Sequence, residues 1–362
     1  MTSASAAAGP FRIIVQPSGR SFDADAGEPI LLAAIRQGVG MPYGCKDGAC
    51  GSCKCKKLEG TVVHGVHQAK ALSADEEAEG YILTCCGVPQ TDVVLESKQV
   101  TDESAFPIRK MPSRVLSMEK RSHDVIVLKM QLPANDTMRY HAGQYVEFIL
   151  RDGARRSYSM ANAPHTLMQA TGAGTTAPVI ELHVRHMPGG KFTDHVFTAM
   201  KEKEILRMEG PYGSFYMRDD SDKPIVFLAS GTGFAPIKAI IEHMHFTGNK
   251  RPATLYWGGR RPADLYLDDW VKERLAEMPN LKYVPVISDA LPEDNWTGRT
   301  GFVHKAVMDD FPDLSGHQVY ACGAPIVVDS ARKQYSELCK LPTDEFYADS
   351  FTTEADKHGK TA

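Results

Sequence analysis

The 362-residue sequence predicts a multi-domain protein with three successive folds: a small mixed β-sheet, an antiparallel β-barrel, and an α/β domain with a parallel sheet. Three observations support this prediction. A chain of this length corresponds to two or three domains. Its first hundred or so residues place a cysteine-rich loop among short strand patterns, and in its last third consecutive strands give way to alternating strands and helices. The composition, 43% hydrophobic and 24% charged, is ordinary for a globular protein.

Four cysteines in the first part of the chain have the C-x4-C-x2-C and distant fourth-cysteine spacing of a plant-type [2Fe-2S] cluster. The predicted ligands are Cys45, Cys50, Cys53 and Cys85. The loop that holds the first three also contains Gly44, Gly48 and Gly51. Residues without a Cβ allow backbone N–H groups to turn toward an anionic cluster. The sequence therefore predicts an electron carrier in this domain.

Other interpretations of these residues remain open. Cys50-x2-Cys53 would also fit a zinc site, although zinc ribbons usually pair two such knuckles. Cys86 could compete with Cys85 as the fourth ligand. The pattern Cys85-x3-Pro89-x2-Asp92 resembles plant-type ferredoxins and favours Cys85, which leaves two spare thiols, Cys55 and Cys86. Two histidines, His64 and His67, fall at no ligand spacing and are predicted to be surface or hydrogen-bonding residues.

Strand and helix signals surround the cysteine loop. The predicted strands are Phe11–Gln16, Arg20–Ala24, Tyr81–Thr84 and Asp92–Glu96. One helix starts with Pro29 at its first position and ends before Gly38, and Ser73-x2-Glu76 is a capping box for a second, short helix. These elements resemble the β-grasp ferredoxin module over residues 11–99. The polar, proline-containing stretch 100–110 is the predicted linker.

The next domain, residues 111–218, is predicted to be a small antiparallel barrel. Its strands are Val115–Met118, Asp124–Gln131, Tyr145–Leu150, Val179–Arg185 and Glu204–Glu209. Three motifs occur in order: Arg156-Ser157-Tyr158-Ser159, Gly189-Gly190-Lys191-Phe192-Thr193 and Gly210-Pro211-Tyr212-Gly213. Together they resemble the ferredoxin–NAD(P) reductase superfamily.

This resemblance implies a flavin site in the barrel. Arg156 would clamp the flavin pyrophosphate with its planar charged group, Tyr158 would lie against the isoalloxazine ring, and Ser159 would hydrogen-bond near N5. The glycine motif would offer donors to phosphate at a helix start through Gly189, Gly190 and Thr193. FAD is favoured over FMN because an attached N-terminal ferredoxin resembles the FAD-using oxygenase reductases.

The last domain, residues 222–351, has the alternation of a doubly wound parallel sheet. Its predicted elements are Ile225–Ala229, Phe234–His245, Thr254–Trp257, Leu267–Met278, Lys282–Ile287, Val303–Asp310, Gln318–Ala321, Val327–Leu338 and Glu345–Tyr347. The first strand-to-helix turn contains Gly231, Thr232 and Gly233, where dinucleotide phosphates can meet free N–H groups. Pro236 takes the place of a third glycine, as in the reductase superfamily. The predicted cofactor is NAD(P)H.

Two further segments of this domain resemble functional parts of the superfamily. Cys322 and Gly323 match its nicotinamide-side motif, although a buried strand-end cysteine is the alternative. Phe351 resembles the terminal aromatic residue that shields the flavin, and a tail, 352–362, follows it. Arg260 and Arg261 lie where the adenosine ribose should rest, which leaves NADH and NADPH open. Resemblance to oxygenase reductases favours NADH.

Electron counting gives the predicted function. NAD(P)H delivers a hydride and a [2Fe-2S] cluster takes one electron at a time, so a flavin must convert between them. Most of the chain, including Pro42–Cys45, Leu83–Cys86 and Phe346–Asp349, is similar to the family of CDP-6-deoxy-3,4-glucoseen reductases. That resemblance implies a deoxysugar dehydrase as electron acceptor. The alternatives are an oxygenase component as acceptor, or a non-catalytic redox sensor.

Charge and hydropathy exclude other classes of protein. The formal net charge is -4 and there is no long basic run, so no nucleic-acid partner is expected. No apolar segment is long enough to span a bilayer, and the N-terminus lacks the features of a signal peptide. A soluble, cytoplasmic protein is therefore expected, with its eight cysteines acting as metal ligands and free thiols.

Overall fold

The computed structural model describes residues 9–103, 106–135, 138–172 and 174–353, which divide into two compact units. One unit comprises the residues up to Pro107 together with those from Ser350 onward, and the other is Ile108–Asp349. The predicted barrel and α/β domains therefore share one unit. Residues 104–105 of the predicted linker and 354–362 of the predicted tail lie outside the described residues.

The first unit is built on a mixed five-stranded sheet. In chain order its elements are β1 (Phe11–Gln16), β2 (Arg20–Ala24), α1 (Ile30–Arg36), β3 (Val39–Gly40), β4 (Lys54–Glu59), β5 (Val62–His64), α2 (Ala74–Ala78), β6 (Tyr81–Leu83), β7 (Gly87–Pro89), β8 (Val93–Glu96) and β9 (Thr101–Asp102). The sheet order is β2-β1-β8-β4-β6, with β1 and β8 parallel and the other pairs antiparallel. Two small antiparallel pairs, β3 with β9 and β5 with β7, complete the unit.

The helix signals in this unit agree with the structure. Pro29 is the residue immediately before α1 rather than its first residue. The predicted capping box of α2 is present, because the Ser73 side chain accepts from the Glu76 N–H while the Glu76 carboxylate accepts from the Ser73 N–H. The predicted linker contains β9 and the first residues of the next strand, so part of it is regular structure.

The second unit begins with a seven-stranded antiparallel sheet in the order β13-β12-β16-β10-β11-β15-β14. Its elements are β10 (Arg109–Lys120), β11 (Val125–Gln131), β12 (Tyr145–Ile149), β13 (Arg155–Ser159), β14 (Met168–Gly172), β15 (Thr175–Arg185), α3 (Lys191–Thr198) and β16 (Ile205–Tyr212). A bridge between Met160 and Leu182 brings the end of β13 back to β15 and curls the sheet into the predicted barrel. Both residues belong to its apolar core.

The rest of this unit is a six-stranded sheet in the order β20-β19-β18-β17-β21-β22, flanked by helices. Its elements are β17 (Ile225–Ser230), α4 (Phe234–Thr247), β18 (Ala253–Gly259), α5 (Asp268–Glu277), β19 (Leu281–Ile287), β20 (Arg299–Thr300), α6 (Val303–Asp310), β21 (Gln318–Gly323), α7 (Pro325–Leu338) and β22 (Phe346–Ser350). The pairs from β20 through β21 are parallel, as predicted. Short 3-10 turns occur at Pro164–Thr166, Gly231–Gly233, Pro262–Asp264, Pro292–Asp294 and Thr343–Glu345.

Among the helices of the described ranges, none is both long and apolar enough to cross a membrane.

Candidate functional site

The four cysteines predicted to bind a cluster come together as two pairs. The thiols of Cys45 and Cys50 are within hydrogen-bond distance of each other, and so are those of Cys53 and Cys85. Cys45 is half-buried and the other three are buried. A [2Fe-2S] cluster has two irons and four thiolate ligands, so two sulfur pairs are the arrangement that it requires.

Glycine is needed at two positions of the cysteine loop. Gly48 and Gly51 have φ angles of 77° and 72°, which side-chain-bearing residues rarely adopt. A Cβ on Gly48 would also lie 2.9 Å from the Val66 carbonyl oxygen. The third predicted glycine, Gly44, is not among the positive-φ glycines. The curvature of the loop thus depends on two of the three glycines.

The environment of Cys50 favours a thiolate. Its sulfur accepts from the backbone N–H of Cys45 at 3.5 Å, and the backbone N–H of Ser52 donates to it as well. A hydrogen bond from the Cys45 thiol lowers the pKa of Cys50 to about 6, against the effect of burial, which raises it. Thiolates, rather than thiols, bind metal. The donor set and its amide partners therefore fit a [2Fe-2S] cluster.

The two predicted spare thiols have different surroundings. Cys55 lies on β4, where burial raises the pKa of its thiol. Cys86 is half-buried, its sulfur is 3.9 Å from the Leu83 carbonyl oxygen, and its thiol contacts that of Cys85. Because Cys85 and Cys86 are adjacent in space as well as in sequence, the choice of Cys85 as fourth ligand stays a prediction.

In the barrel, β13 carries the predicted flavin-binding residues. The Tyr158 ring lies 5.1 Å from that of Phe192 and 6.0 Å from that of Phe148, centroid to centroid, and burial raises the pKa of its hydroxyl. One guanidinium nitrogen of Arg156 donates to the Arg155 carbonyl oxygen at 2.7 Å. An apolar wall beside a cationic group suits a flavin ring and its pyrophosphate.

The glycine motif forms a closed turn ahead of α3. The Thr193 hydroxyl donates to the Met187 carbonyl oxygen at 2.9 Å, and Gly190 N–H donates to the same oxygen at 2.8 Å. The N–H of Gly189, whose φ is 82°, donates to Asp194. These groups thus hold the turn in shape, while the first N–H groups of α3 have no partner within the helix. The phosphate-binding roles of the motif stay predictions.

The turn after β17 packs directly against the end of β21. A Cβ on Gly233 would lie 2.1 Å from the Cys322 carbonyl oxygen, and one on Gly323 would lie 2.4 Å from the Ser230 carbonyl oxygen. No side chain fits at either position. Thr232 is buried between the glycines, and Cys322 is buried at the end of β21, where burial raises the pKa of its thiol.

Asp349, which the sequence analysis did not select as a site residue, lies close to both Ser159 and Cys322. The Ser159 hydroxyl donates to the Asp349 carboxylate at 3.2 Å, and the charge of Asp349 is a further cause of the raised pKa of Cys322. Two predicted catalytic residues from different folds therefore lie around one buried carboxylate. Phe351 follows β22 and is half-buried, and its shielding role stays a prediction.

A second missed residue is Arg185, at the end of β15. Its Nε donates to the Asp124 carboxylate at 2.7 Å. One guanidinium nitrogen, Nη1, lies 3.1 Å from the position that a Cβ on Gly231 would take, and Gly231 is the first residue of the predicted phosphate turn. No motif marked this arginine, because it becomes relevant only when the barrel meets the α/β fold.

The barrel and the α/β fold also share a buried ionic network. Lys238 of α4 lies 2.6 Å from Glu242 and 3.2 Å from Glu181 of β15, and donates to the Ala161 carbonyl oxygen at 3.0 Å. His183 contacts the Tyr266 hydroxyl at 2.7 Å. Burial raises the pKa of Glu181, but His183 and Lys238 outweigh it and lower that pKa to about 2. The network therefore holds an ionised carboxylate between the two folds.

The two arginines considered for cofactor selection differ in their contacts. Arg261 makes a bidentate ion pair with Asp294, with nitrogen–oxygen distances of 2.6 and 2.8 Å. The backbone N–H groups of Arg260 and Arg261 both donate to Asp264. An arginine already held by a carboxylate does not by itself indicate a site for a 2′-phosphate, so the preference between NADH and NADPH stays open.

Comparison with known protein families assigns a domain to each fold. Residues 13–90 match the 2Fe-2S iron-sulfur cluster binding domain, 112–216 the oxidoreductase FAD-binding domain, and 227–333 the oxidoreductase NAD-binding domain. These three domains, with the sites described above, define an NAD(P)H-dependent electron-transfer reductase that uses FAD and a [2Fe-2S] cluster.

Individual relatives match nearly the whole chain. The CDP-6-deoxy-L-threo-D-glycero-4-hexulose-3-dehydrase reductase of Yersinia pseudotuberculosis is 39% identical, covering 93% of this chain and 97% of the relative. Reductase component 2 of terephthalate 1,2-dioxygenase from Comamonas is 33% identical, covering 94% of this chain and 97% of the relative. The crystal structure of the Amycolatopsis cytochrome P450 reductase GcoB matches with a TM-score of 0.75 at 32% identity. The match covers 95% of this chain and 99% of the chain in that structure.

The chain belongs to this family of reductases, the members of the ferredoxin–NAD(P) reductase superfamily that carry an N-terminal [2Fe-2S] domain. The predicted fold, cofactors and enzyme class are thereby confirmed. The protein passes electrons from NAD(P)H through FAD and the cluster to an acceptor partner.

Proposed function

We propose that the acceptor is a sugar-nucleotide dehydrase and that this chain is its reductase. The observation that carries the proposal is the 39% identity, over 97% of its length, to a reductase named for a CDP-6-deoxy-hexulose 3-dehydrase. The oxygenase reductase from Comamonas matches over the same share of its own length at 33% identity. The expected place of action is the cytoplasm, as the sequence analysis predicts.

The proposal assigns a role to each group of site residues. Bound FAD would exchange a hydride with NAD(P)H and single electrons with the cluster, chemistry that no side chain supplies. The ligands of that cluster would be Cys45, Cys50, Cys53 and Cys85. Arg156 would bind the flavin pyrophosphate, and the buried Tyr158 ring would exclude water from the flavin face. Ser159, Cys322 and Asp349 would surround the place of hydride transfer.

Reconstitution with each kind of acceptor tests the proposal. The purified reductase is mixed with NADH, a CDP-6-deoxy-hexulose 3-dehydrase and the sugar nucleotide of that enzyme, and the deoxygenated sugar is measured. We expect product and a matching oxidation of NADH only when all components are present. An equal rate with the dehydrase omitted, or no product with a reductase that still reduces cytochrome c, would exclude the dehydrase as acceptor.

A second candidate acceptor is an oxygenase component. The observation that favours it is the structural match to the Amycolatopsis cytochrome P450 reductase, at 32% identity. In a parallel reconstitution with a terephthalate dioxygenase component, NADH-dependent oxidation of terephthalate would support this candidate. Failure of both reconstitutions, together with no steady reduction of cytochrome c or ferricyanide, would favour the redox sensor instead.

The position of Arg185 gives a prediction for cofactor binding. Its guanidinium group lies beside the Gly231–Gly233 turn, where we infer that it contacts the pyrophosphate of NAD(P)H. A hydrogen bond to a charged group contributes about 1.5–3 kcal/mol, so Arg185→Gln is expected to raise the Kd for NADH about 10- to 100-fold. Binding is measured by calorimetry, with Arg114→Gln, an exposed arginine on β10, as the matched control.

Two smaller ligands, ADP-ribose and adenosine, distinguish the loss of a pyrophosphate contact from a general loss of structure. Arg185→Gln should weaken ADP-ribose, which retains the pyrophosphate, and leave the binding of adenosine unchanged. Equal weakening of both ligands would contradict the assignment, as would an unchanged Kd for ADP-ribose. Asp124 loses its contact with the Arg185 guanidinium group in this variant, so the melting temperature is recorded for each protein.

A further inference from the structure

His64 occupies a buried position between α2 and the strand that leads to Cys85. It is the last residue of β5, and its side chain is only 6% exposed. Its Nδ1 lies 2.8 Å from a carboxylate oxygen of Glu77, and its Nε2 lies 3.2 Å from the backbone nitrogen of Leu83. These contacts agree with the second of the two predicted descriptions, a hydrogen-bonding residue.

These two contacts fix the protonation pattern of the ring. A backbone N–H can only donate, so the Nε2 that receives the Leu83 N–H must be the unprotonated acceptor. The ring proton of a neutral imidazole then sits on Nδ1 and points at the Glu77 carboxylate. The neutral His64 ring with its proton on Nδ1 therefore connects Glu77 of α2 to the Leu83 N–H.

The backbone donor lies at the start of the turn that presents Cys85. Leu83 is the last residue of β6, an edge strand of the five-stranded sheet, and is fully buried. Its carbonyl oxygen accepts from the Cys86 N–H at 3.3 Å, which closes a turn with Cys85 inside it. On the other side, Gly65 N–H donates to the Cys86 carbonyl oxygen at 2.8 Å. The residues at positions 64 and 65 therefore hold both ends of the turn.

The same helix reaches the other cysteine of this pair. Glu76, next to Glu77 in α2, lies 2.5 Å from the ammonium group of Lys54, which directly follows Cys53. Lys54 in turn pairs with Leu83 across β4 and β6. The thiol of Cys53 lies close enough to that of Cys85 to raise the pKa of Cys85. Two neighbouring carboxylates of α2 thus support the two strands that carry one half of the predicted cluster site.

We propose that His64 is a positioning residue for the [2Fe-2S] cluster, linking Glu77 to the Leu83 N–H and thereby fixing the turn that carries Cys85. The proposal rests on the cluster ligands assigned under the proposed function. Groups that orient metal ligands control both the retention of the metal and its redox potential. His64 is therefore expected to affect the cluster without contacting it.

Three variants separate the acceptor role of the ring from its volume. His64→Phe keeps a ring but removes both hydrogen bonds. His64→Gln places an amide oxygen near the position of Nε2, where it can still accept from Leu83. His64→Asn keeps a polar group near Nδ1 only. The matched control is His245→Phe, which changes a half-exposed histidine of α4 in the other unit.

The measurements are made on the iron-loaded protein. We expect His64→Phe to release iron to a chelator about 10-fold faster than the wild type, with a changed electron paramagnetic resonance spectrum of the reduced cluster and a shifted midpoint potential. His64→Gln should restore all three properties, whereas His64→Asn should resemble His64→Phe. His245→Phe should match the wild type.

Each result decides the proposal. Wild-type iron retention, spectrum and potential in His64→Phe would overturn it. If His64→Phe fails to take up iron, recovery of the cluster in His64→Gln but not in His64→Asn supports the acceptor role, and no recovery in either variant overturns it. Absence of a [2Fe-2S] spectrum in the wild-type protein would instead contradict the cluster assignment itself, so the two failures are distinguishable.

Discussion

Replacement of Cys50 by serine is expected to abolish the visible absorbance of the cluster and to reduce NADH-driven reduction of cytochrome c about 100-fold or more. Loss of a group that merely orients a metal ligand lowers metal affinity or activity about 10- to 100-fold. Cys50 is itself a predicted ligand, and its buried sulfur receives backbone hydrogen bonds. A serine hydroxyl is a poor substitute for a soft thiolate. Reduction of ferricyanide should persist, because the FAD-binding and NAD-binding domains, residues 112–216 and 227–333, lie in the other unit.

Other cysteines provide matched controls for this experiment. Cys339→Ser changes a buried cysteine of the α/β fold and should leave the cluster spectrum intact. Comparison of Cys85→Ser with Cys86→Ser decides the fourth ligand, since only the variant that removes a ligand should lose iron. If Cys50→Ser loses ferricyanide reduction as completely as cytochrome c reduction, the flavin does not reduce ferricyanide independently of the cluster. That result would contradict the assignment of the two activities to separate cofactors.

Replacement of Arg156 by alanine is expected to release the flavin. A guanidinium group that binds pyrophosphate makes charge-assisted hydrogen bonds, each worth about 1.5–3 kcal/mol, so the Kd for FAD should rise about 10- to 100-fold. The measurement is the ratio of flavin to protein after gel filtration. Both NADH-dependent activities should fall together and recover when excess FAD is added.

An exposed arginine on the same barrel serves as the control. Arg207 of β16 is exposed and lies opposite Ile149 of β12, so Arg207→Ala should retain stoichiometric flavin. Full retention of flavin by Arg156→Ala would remove the assignment of this residue. Arg155→Ala is not a suitable control, because it would leave the buried Glu147 without its ion-pair partner.

Much of the fold could be predicted because its signals are local. The capping box at Ser73 and Glu76 needs residues three apart. The alternation of strands and helices after Ile225 follows from hydrophobic patterns of one element each. The strands missed in the first unit are short or polar: β4 reads Lys-Cys-Lys-Lys-Leu-Glu, and β5 and β7 have three residues each. Such segments have too few apolar residues to show the alternation of apolar and polar positions that identifies a strand.

The candidate site could be predicted only where its residues stand close together in the sequence. The cysteine spacing and the motif around Arg156 and Tyr158 meet that condition. The Ser159–Asp349 hydrogen bond joins residues 190 positions apart, and Arg185 reaches Gly231 from another fold. These contacts depend on how the barrel packs on the parallel sheet, which no local pattern encodes. The His64–Glu77 contact was missed because it joins β5 to α2 across 13 positions of the first unit, and no local pattern pairs these two residues.

The Lys238 network has a practical consequence for dividing the gene into fragments. Cutting the chain near residue 220 would leave Glu181 and His183 on one fragment and Lys238 and Glu242 on the other. The cut would break the Lys238–Glu181 ion pair and the His183–Tyr266 hydrogen bond, although Glu181 keeps His183 and Lys238 keeps Glu242. Removing one partner of a buried ion pair is strongly destabilising. Expression of either half alone should therefore give insoluble material, whereas a cut near Pro107 follows the boundary between the compact units.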